Sequence, residues 1–175
     1  MSDIILLHKK FERMTELLSI IEEDNPRGAD FTRLLGGRGE GLAARYLVDN
    51  GYRLVVSNFK VPVGRNSRGL QITGEIDIIA LDGETLAFVE VKSRRSDEFT
   101  HLTANVNLRK QRQITRTARV YRRLFRLFDM PQRFDVVTVL MPKHAEPEIN
   151  LNKGFWTENS FKKKTWDRES WSEFI

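Results

Sequence analysis

Two acidic residues and a lysine on a predicted hairpin are the side chains of this chain best placed to do chemistry. Asp77 lies on the first predicted strand of segment 74–92, and Glu90 and Lys92 lie on the second. β-Branched runs on both sides of an Asp-Gly pair predict two antiparallel strands joined by a tight turn. Strands of this kind usually bury apolar faces, so three charges on an otherwise apolar hairpin indicate a functional site.

The register of this hairpin decides whether the three charges meet. A two-residue loop at the Asp-Gly pair would place Asp77 opposite Phe88 and diagonal to Glu90, and a four-residue loop would place it directly opposite Glu90. Both even-numbered loops bring Asp77, Glu90 and Lys92 to one face, because side chains alternate with period two. A three-residue loop would separate them.

A divalent cation is the simplest explanation for two carboxylates in such an arrangement. Two carboxylates about 4 Å apart repel by roughly 4 kcal/mol at an effective dielectric near 20. Mg²⁺ is typically held by one or two carboxylates, and Lys92 is then placed to contact a phosphate oxygen or polarise an attacking water. The alternative is a surface hairpin whose solvent face carries these charges. Apolar residues on both faces of both strands favour a covered sheet instead.

Composition narrows the class of protein. The 175 residues suit one soluble domain, and without cysteine there is no disulfide, thiol nucleophile or zinc–thiolate site. The N-terminus lacks a signal-peptide pattern and no stretch approaches roughly 18 apolar residues, so we expect a cytoplasmic protein. Residues 92–133 hold twelve bases and three acids, which indicates a polyanionic partner. Ribosomal or chaperone-like binding would give the same charge signal.

Two helices are predicted before the hairpin. The first spans 4–23, and its apolar stripe would pack on the domain or pair with a second copy. The second begins near Gly36-Gly37 and ends before Gly51, with Ala43, Tyr46 and Leu47 facing inward. Glu40 falls beside this inward stripe. Either it is an ordinary first-turn acid favoured by the helix dipole, or it is a third carboxylate directed at the hairpin.

Residues 52–61 predict a strand, and 62–73 predict an exposed loop because of their Gly, Pro, Ser and Asn content. Arg65 and Arg68 in this loop would either contact a phosphate backbone or remain solvated charges. Towards the end of the chain, a nearly continuous apolar run over 136–141 predicts a buried strand, parallel to a neighbour through the preceding helix. The aromatic residues of the last thirty positions, interleaved with lysines, would stack on bases or, as we favour, pack over the core.

A strongly basic amphipathic helix is predicted over 108–128. Its apolar stripe is Ile114, Ala118, Tyr121, Phe125 and Phe128, and a second stripe consists of Arg112, Arg116, Arg119, Arg123 and Arg126. No acid lies between Arg109 and Arg126, so these arginines have no i,i+4 partner. Such a face is poorly explained by solubility alone, and we expect it to contact phosphates.

Four short motifs, taken together, resemble a known family. They are Gly39-Glu40, Gly74-Glu75-Ile76-Asp77, Glu90-Val91-Lys92 and Arg109-Lys110-Gln111. In this order they resemble the YraN-like family of uncharacterised bacterial proteins. That family is similar to the PD-(D/E)xK nuclease superfamily and its Holliday-junction resolvases. The resemblance covers roughly residues 36–140, and the loop at 62–73 is longer than is usual in the family.

The resemblance implies an α/β fold with a restriction-endonuclease-like core, in which a mixed central β-sheet is flanked by helices. An extra helical extension would occupy 1–30, the nuclease-like domain 31–155 and a tail 156–175. It also implies metal-dependent hydrolysis of phosphodiester bonds in DNA, including branched DNA. Asp77, Glu90 and Glu40 would bind Mg²⁺ or Mn²⁺, and Lys92 would serve the attacking water.

The expected partner is nucleic acid, DNA in preference to RNA, with no membrane association, and a homodimer would suit junction cleavage. The resemblance makes Lys110 or Gln111 accessory to the site. The residues expected to bind nucleic acid are Arg94, Arg95, Lys110, Gln111, Arg112, Arg116, Arg119 and Arg123. The alternative function is a nuclease-like fold that binds nucleic acid or a partner protein without catalysis.

Overall fold

Five strands form a mixed sheet in which chain order and spatial order agree. The computed structural model describes residues 37–95 and 106–161. The strands are β1 (Arg53–Arg65), β2 (Gln71–Asp82), β3 (Thr85–Arg94), β4 (Gln132–Leu140) and β5 (Glu148–Trp156). Strands β3 and β4 run parallel, and the other neighbouring pairs run antiparallel.

One helix covers each face of the sheet. Helix α1 (Arg38–Asp49) precedes β1, and helix α2 (Leu108–Leu124) connects β3 to β4. A short 3₁₀ turn, Glu158–Phe161, follows β5. This α/β arrangement confirms the predicted mixed sheet flanked by helices and is consistent with a restriction-endonuclease-like core. The helix predicted over 4–23 lies outside the described residues. No helix within 37–95 or 106–161 is long and apolar enough to cross a membrane.

The β2–β3 hairpin has a two-residue loop, Gly83-Glu84, one position later than the Asp-Gly pair suggested. Gly83 has a φ of 59°, and glycine at the first loop position is typical of one tight hairpin turn. Asp82 pairs with Thr85 and Ile78 pairs with Val89. One further step in this register places Asp77 opposite Glu90, which is the arrangement expected from the four-residue loop.

The exposed loop predicted over 62–73 is wrong, because β1 continues to Arg65 and β2 begins at Gln71. Pro62 is tolerated because β1 is an edge strand, and the register shifts between Pro62 and Gly64. The turn itself covers only 66–70. The Asn66 carboxamide oxygen accepts hydrogen bonds from the backbone N–H groups of Arg68 and Leu70, each at 2.9 Å.

Helix α1 buries Ala43, Ala44 and Leu47 against one face of the sheet. Tyr46, predicted to face inward, is only half-buried. Helix α2 buries Ile114, Ala118 and Tyr121 against the other face, as predicted. The prediction that Phe125 and Phe128 continue this stripe is wrong, because α2 ends at Leu124 and both rings are exposed.

Strand β4 confirms the predicted buried strand, and it runs parallel to β3 through α2. Strand β5 was not predicted. Its last residue, Trp156, stacks on Phe134 with ring centroids 4.9 Å apart, and Phe155 and Phe161 also pack against the core. These three aromatic residues pack over the core, as we favoured, whereas Trp166 and Trp171 lie outside the described residues.

Candidate active site

Asp77 lies where β2 and β3 stop pairing. The last described pair is Ile78 with Val89, and beyond it the Val91 backbone N–H donates to Asp77 Oδ2 at 2.7 Å. The Asp77 carboxylate therefore accepts a hydrogen bond that a backbone carbonyl would accept in a regular pair of strands. Burial and the neighbouring Glu90 charge raise the pKa of Asp77 to about 7, against the opposing effects of the Val91 N–H and the Lys110 charge. The Glu90 carboxylate is thus close enough to affect the ionisation of Asp77.

Glu90 is a buried carboxylate, with only 1% of the residue exposed. Lys92 Nζ lies 2.7 Å from Oε1, and Lys110 Nζ lies 3.0 Å from Oε2. The Lys110 contact is an ion pair by distance but lacks hydrogen-bond geometry, so Oε2 accepts no hydrogen bond within the described chain. Buried carboxylates normally fill their hydrogen-bonding capacity. Glu90 Oε2 instead faces the Lys110 ammonium, whose charge stands where a hydrogen bond from the described chain would otherwise lie.

Lys110 comes to the site from the first turn of α2. Asn107 caps this helix by accepting a hydrogen bond from the Lys110 backbone N–H at 2.9 Å, which fixes the turn that carries the lysine. Burial lowers the pKa of the ammonium, but the charges of Glu90 and Asp77 raise it more. Gln111 donates to the Val106 carbonyl at 2.7 Å. The site therefore gains a lysine from α2, while the Gln111 side chain supports the start of that helix.

Glu40 reaches the border of the site from the first turn of α1. This turn packs directly on the end of β3, because a Cβ added at Gly39 would lie 2.3 Å from Ser93 Cβ. Asn58 Nδ2 lies 3.5 Å from Glu40 Oε2. Among residues 37–95 and 106–161, no three His, Cys, Asp or Glu side chains form a metal-binding group. The role of Glu40 as a third metal ligand stays a prediction.

Gly74 allows the second helix to approach in the same way. A Cβ at this position would lie 2.0 Å from Thr117 Oγ1 of α2 and 2.6 Å from Val63 Cγ1. The two glycines that precede glutamates in the motifs are thus close-packing positions, Gly39 within α1 and Gly74 beneath α2. Sequence reasoning did not predict these packing roles, because the residues that the glycines contact are distant in the chain.

A cavity of about 240 Å³ opens beside the start of α1. Its lining includes Arg38, Glu40, Ser93, Arg94 and Arg95. Arg94 and Arg95, predicted to bind nucleic acid, therefore share an opening with the predicted catalytic acid Glu40. Cationic side chains around such an opening would favour an anionic ligand.

The arginine face of α2 is exposed, but it is not uniformly unpaired as expected. Arg119 forms an ion pair with Glu158 of the 3₁₀ turn, and the Arg112 guanidinium lies over the Phe161 ring, 5.7 Å from its centroid. The expectation failed because it considered partners within the helix, whereas this acid comes from a segment 39 residues away. Arg116 and Arg123 form no ion pair with the described part of the chain.

A second charged cluster is centred on Asp135, which pairs with Val89, the residue before Glu90, and therefore projects from the other face of the sheet. Asp135 is fully buried and accepts hydrogen bonds from Arg133 Nε at 2.8 Å, the Tyr52 hydroxyl at 3.2 Å and the Gly154 backbone N–H at 2.8 Å. Arg133 also contacts Asp82, and burial together with the Asp135 charge raises the pKa of Tyr52. The Arg133 and Asp135 charges at the start of a predicted buried strand were the only signal of this cluster in the sequence. Its polar groups satisfy one another, which suits a structural role.

The class of protein follows from the sheet and from the positions of its charges. A mixed sheet covered by one helix on each face carries an acidic pair and a lysine where its central hairpin opens. The uncharacterised protein family UPF0102 matches residues 39–139, and the chain belongs to this family. The YraN-like resemblance of the motifs is thereby confirmed.

Relatives of known sequence share the same name. A UPF0102 protein of Geotalea uraniireducens (strain Rf4) is 43% identical over 115 residues, covering 66% of this chain and 83% of the relative. A UPF0102 protein of Acetivibrio thermocellus is 35% identical over 129 residues, covering 74% and 92%. Among solved structures, the crystal structure of SSO0001 matches at 15% identity with a TM-score of 0.33, covering 87% of this chain and 65% of that one. That score is too low to indicate a shared fold.

Proposed function

We propose that this protein is a metal-dependent nuclease that hydrolyses phosphodiester bonds in DNA. The observation that carries the proposal is the acidic pair: a buried Glu90 with an oxygen that accepts no hydrogen bond from the described residues, next to an Asp77 whose pKa is raised to about 7. Two such carboxylates suit a hard divalent cation, which is bound by oxygen ligands. Asp77 and Glu90 would hold Mg²⁺ or Mn²⁺, with Glu40 as an additional acid.

When bound, such an ion supplies Lewis acidity and offsets the negative charge of the reacting phosphate. The protein's own groups have separate roles. The Val91 N–H fixes Asp77, and Lys92, held 2.7 Å from Glu90 Oε1, is placed to donate a hydrogen bond to an attacking water or to a phosphate oxygen. The exposed arginines of α2 would attract the phosphate backbone without reading base sequence.

One observation favours the alternative of a non-catalytic binding module. Lys92 and Lys110 both lie within 3.0 Å of Glu90, so its charge is already offset without a metal ion. On this alternative, the two lysines would be permanent structural partners of Glu90. Nucleic-acid binding would then be insensitive to chelator and would survive the loss of Glu90.

The test is cleavage of linear, nicked and four-way-junction DNA with Mg²⁺ or Mn²⁺, using the full chain. We expect Glu90→Gln and Lys92→Met to lose at least about a hundredfold in rate, since both remove groups that act on the transition state. Glu84→Gln makes the same chemical change in the exposed hairpin turn and should retain the wild-type rate. Equal rates for wild type and Glu90→Gln would identify the activity as contamination and reject the proposal.

A further inference from the structure

Asn58 has an unusual backbone conformation for a residue within a strand. Its φ is 52°, in the left-handed region that residues other than glycine rarely adopt. The flanking residues of β1 pair normally, Ser57 with Ile78 and Phe59 with Ile76. Asn58 therefore lies opposite Asp77, at a step that the pairing skips. Sparsely populated backbone conformations cluster at functional sites, and asparagine tolerates this one better than most residues.

The Asn58 side chain connects this point of the sheet to α1. Its carboxamide Nδ2 lies 3.5 Å from Glu40 Oε2, and both residues are half-buried. One residue of β1 thus faces Asp77 across the strand pair and contacts the acid of α1 at the same time. No other described contact of the Glu40 carboxylate is a hydrogen bond or ion pair.

We propose that Asn58 is a positioning residue that holds the Glu40 carboxylate in place relative to the Asp77–Glu90 pair. The catalytic consequence rests on the proposed nuclease function, whereas the Asn58–Glu40 coupling can be measured without it. A free glutamate in the first turn of a helix has several rotamers available, and fixing one of them costs side-chain entropy. The carboxamide would offset this cost only in the orientation that the left-handed backbone provides.

The experiment is a double-mutant cycle on the full chain with Asn58→Gly and Glu40→Ala. Glycine accepts the left-handed backbone without strain and removes only the carboxamide, so it separates the side chain from the backbone. Asn58→Asp keeps the size and the backbone tolerance but places a second carboxylate against Glu40. We expect both Asn58 variants to lower kcat for DNA cleavage at least about tenfold with little change in KM.

The decisive result is whether the effects of the Asn58 and Glu40 substitutions on kcat are coupled. If Asn58 acts through Glu40, Asn58→Gly should cause no further loss of kcat in the Glu40→Ala background. Losses that simply multiply, or a wild-type kcat in Asn58→Gly, would overturn the proposal. The same double-mutant cycle is also measured by urea unfolding. We expect the effects of Asn58→Gly and Glu40→Ala on the unfolding equilibrium constant to be coupled by about fivefold.

The urea-unfolding measurements test the contact between Asn58 and Glu40 independently of the proposed nuclease function. If the wild-type protein cleaves no DNA but the unfolding cycle shows the coupling, Asn58 still positions Glu40 and the nuclease proposal alone is rejected. If the unfolding cycle shows no coupling, the contact is not made and the inference is rejected, whatever the activity.

Discussion

At Glu90, burial and charge act against each other. Removing a carboxylate from water is costly unless charged partners and hydrogen bonds replace the lost hydration. Lys92 and Lys110 supply the charges, but Oε2 accepts no hydrogen bond from the described part of the chain. The neighbouring Asp77 has a raised pKa because it is buried and close to the Glu90 charge. The site thus combines two acids with two lysines.

The raised pKa of Asp77 gives the metal-free protein a pH-dependent stability. Because the folded-state pKa is about 7 and the usual value is 3.8, the folded protein binds the extra proton between these pH values. The free energy of unfolding should therefore fall as the pH rises through this window. In EDTA, we expect wild type to lose roughly 2 kcal/mol more between pH 5 and pH 8 than Asp77→Asn does.

Urea unfolding at several pH values measures this difference. Asparagine keeps an oxygen acceptor for the Val91 N–H, so the comparison isolates the charge. Parallel pH curves for the two proteins would mean that Asp77 ionises normally in the folded state.

Residue spacing was enough to predict the meeting of Asp77, Glu90 and Lys92, since alternation along two paired strands fixes which side chains share a face. It was not enough to predict Asn58 or the packing roles of Gly39 and Gly74. Those roles depend on contacts between elements that are far apart in the chain, and a single sequence carries no record of such distances.

At the scale of elements, α2 combines a buried stripe with an exposed basic face. Apolar periodicity predicted the helix, and the continuous apolar run predicted β4. Strand β5 was not predicted, because apolar and polar residues alternate only weakly along it and because it includes Lys153 and Gly154. The outer part of the β1–β2 hairpin was not predicted either, because its Gly, Pro and Asn content is typical of loops. Edge strands tolerate these residues better than central strands do.

Because Arg119 pairs with Glu158, the exposed arginines of α2 differ: Arg119 has an ion-pair partner, whereas Arg116 has none in the described chain. We expect Arg116→Gln to reduce the slope of log binding constant against log salt concentration by about 1, because it removes one phosphate contact. Arg119→Gln should reduce it less, since Glu158 already offsets that charge. Fluorescence anisotropy with duplex DNA at several salt concentrations measures the slopes.

Arg45→Gln is the matched control for this series. Arg45 is an exposed arginine on α1, with Asp49 3.9 Å away, and its loss should leave the slope close to that of wild type. Identical slopes for all three variants would mean that α2 is not the surface that DNA contacts.

At the scale of the whole molecule, the two charged clusters divide stability from chemistry. The Asp135 cluster ties β4, β5 and the start of β1 together through satisfied hydrogen bonds. Glu90 projects from the other face of the sheet, and its Oε2 accepts no hydrogen bond from the described part of the chain. Gln132 Oε1 and Asn152 Nδ2 are also buried without a hydrogen bond in the described chain, so the division rests on the acidic pair and not on unsatisfied atoms alone.

Asp135→Asn should test this division. Asparagine removes the Asp135 charge and leaves Arg133 paired with Asp82 alone, so we expect a loss of about 1–3 kcal/mol in the free energy of unfolding. DNA cleavage by the folded fraction should keep the wild-type kcat. Asp82→Asn is a milder control, because Asp82 is only partly buried. A large loss of kcat with unchanged stability would assign the Asp135 cluster to the chemistry instead.

The parallel pairing of β3 with β4 also sets an order of assembly. The β2–β3 hairpin closes through a two-residue loop and needs no other part of the chain, whereas β4 can pair with β3 only after the long crossover through α2 has closed. We therefore expect Asp77, Glu90 and Lys92 to come together early and Lys110 to arrive only with α2. Closing the crossover would then both add β4 to the sheet and supply the second lysine that offsets the buried Glu90 charge.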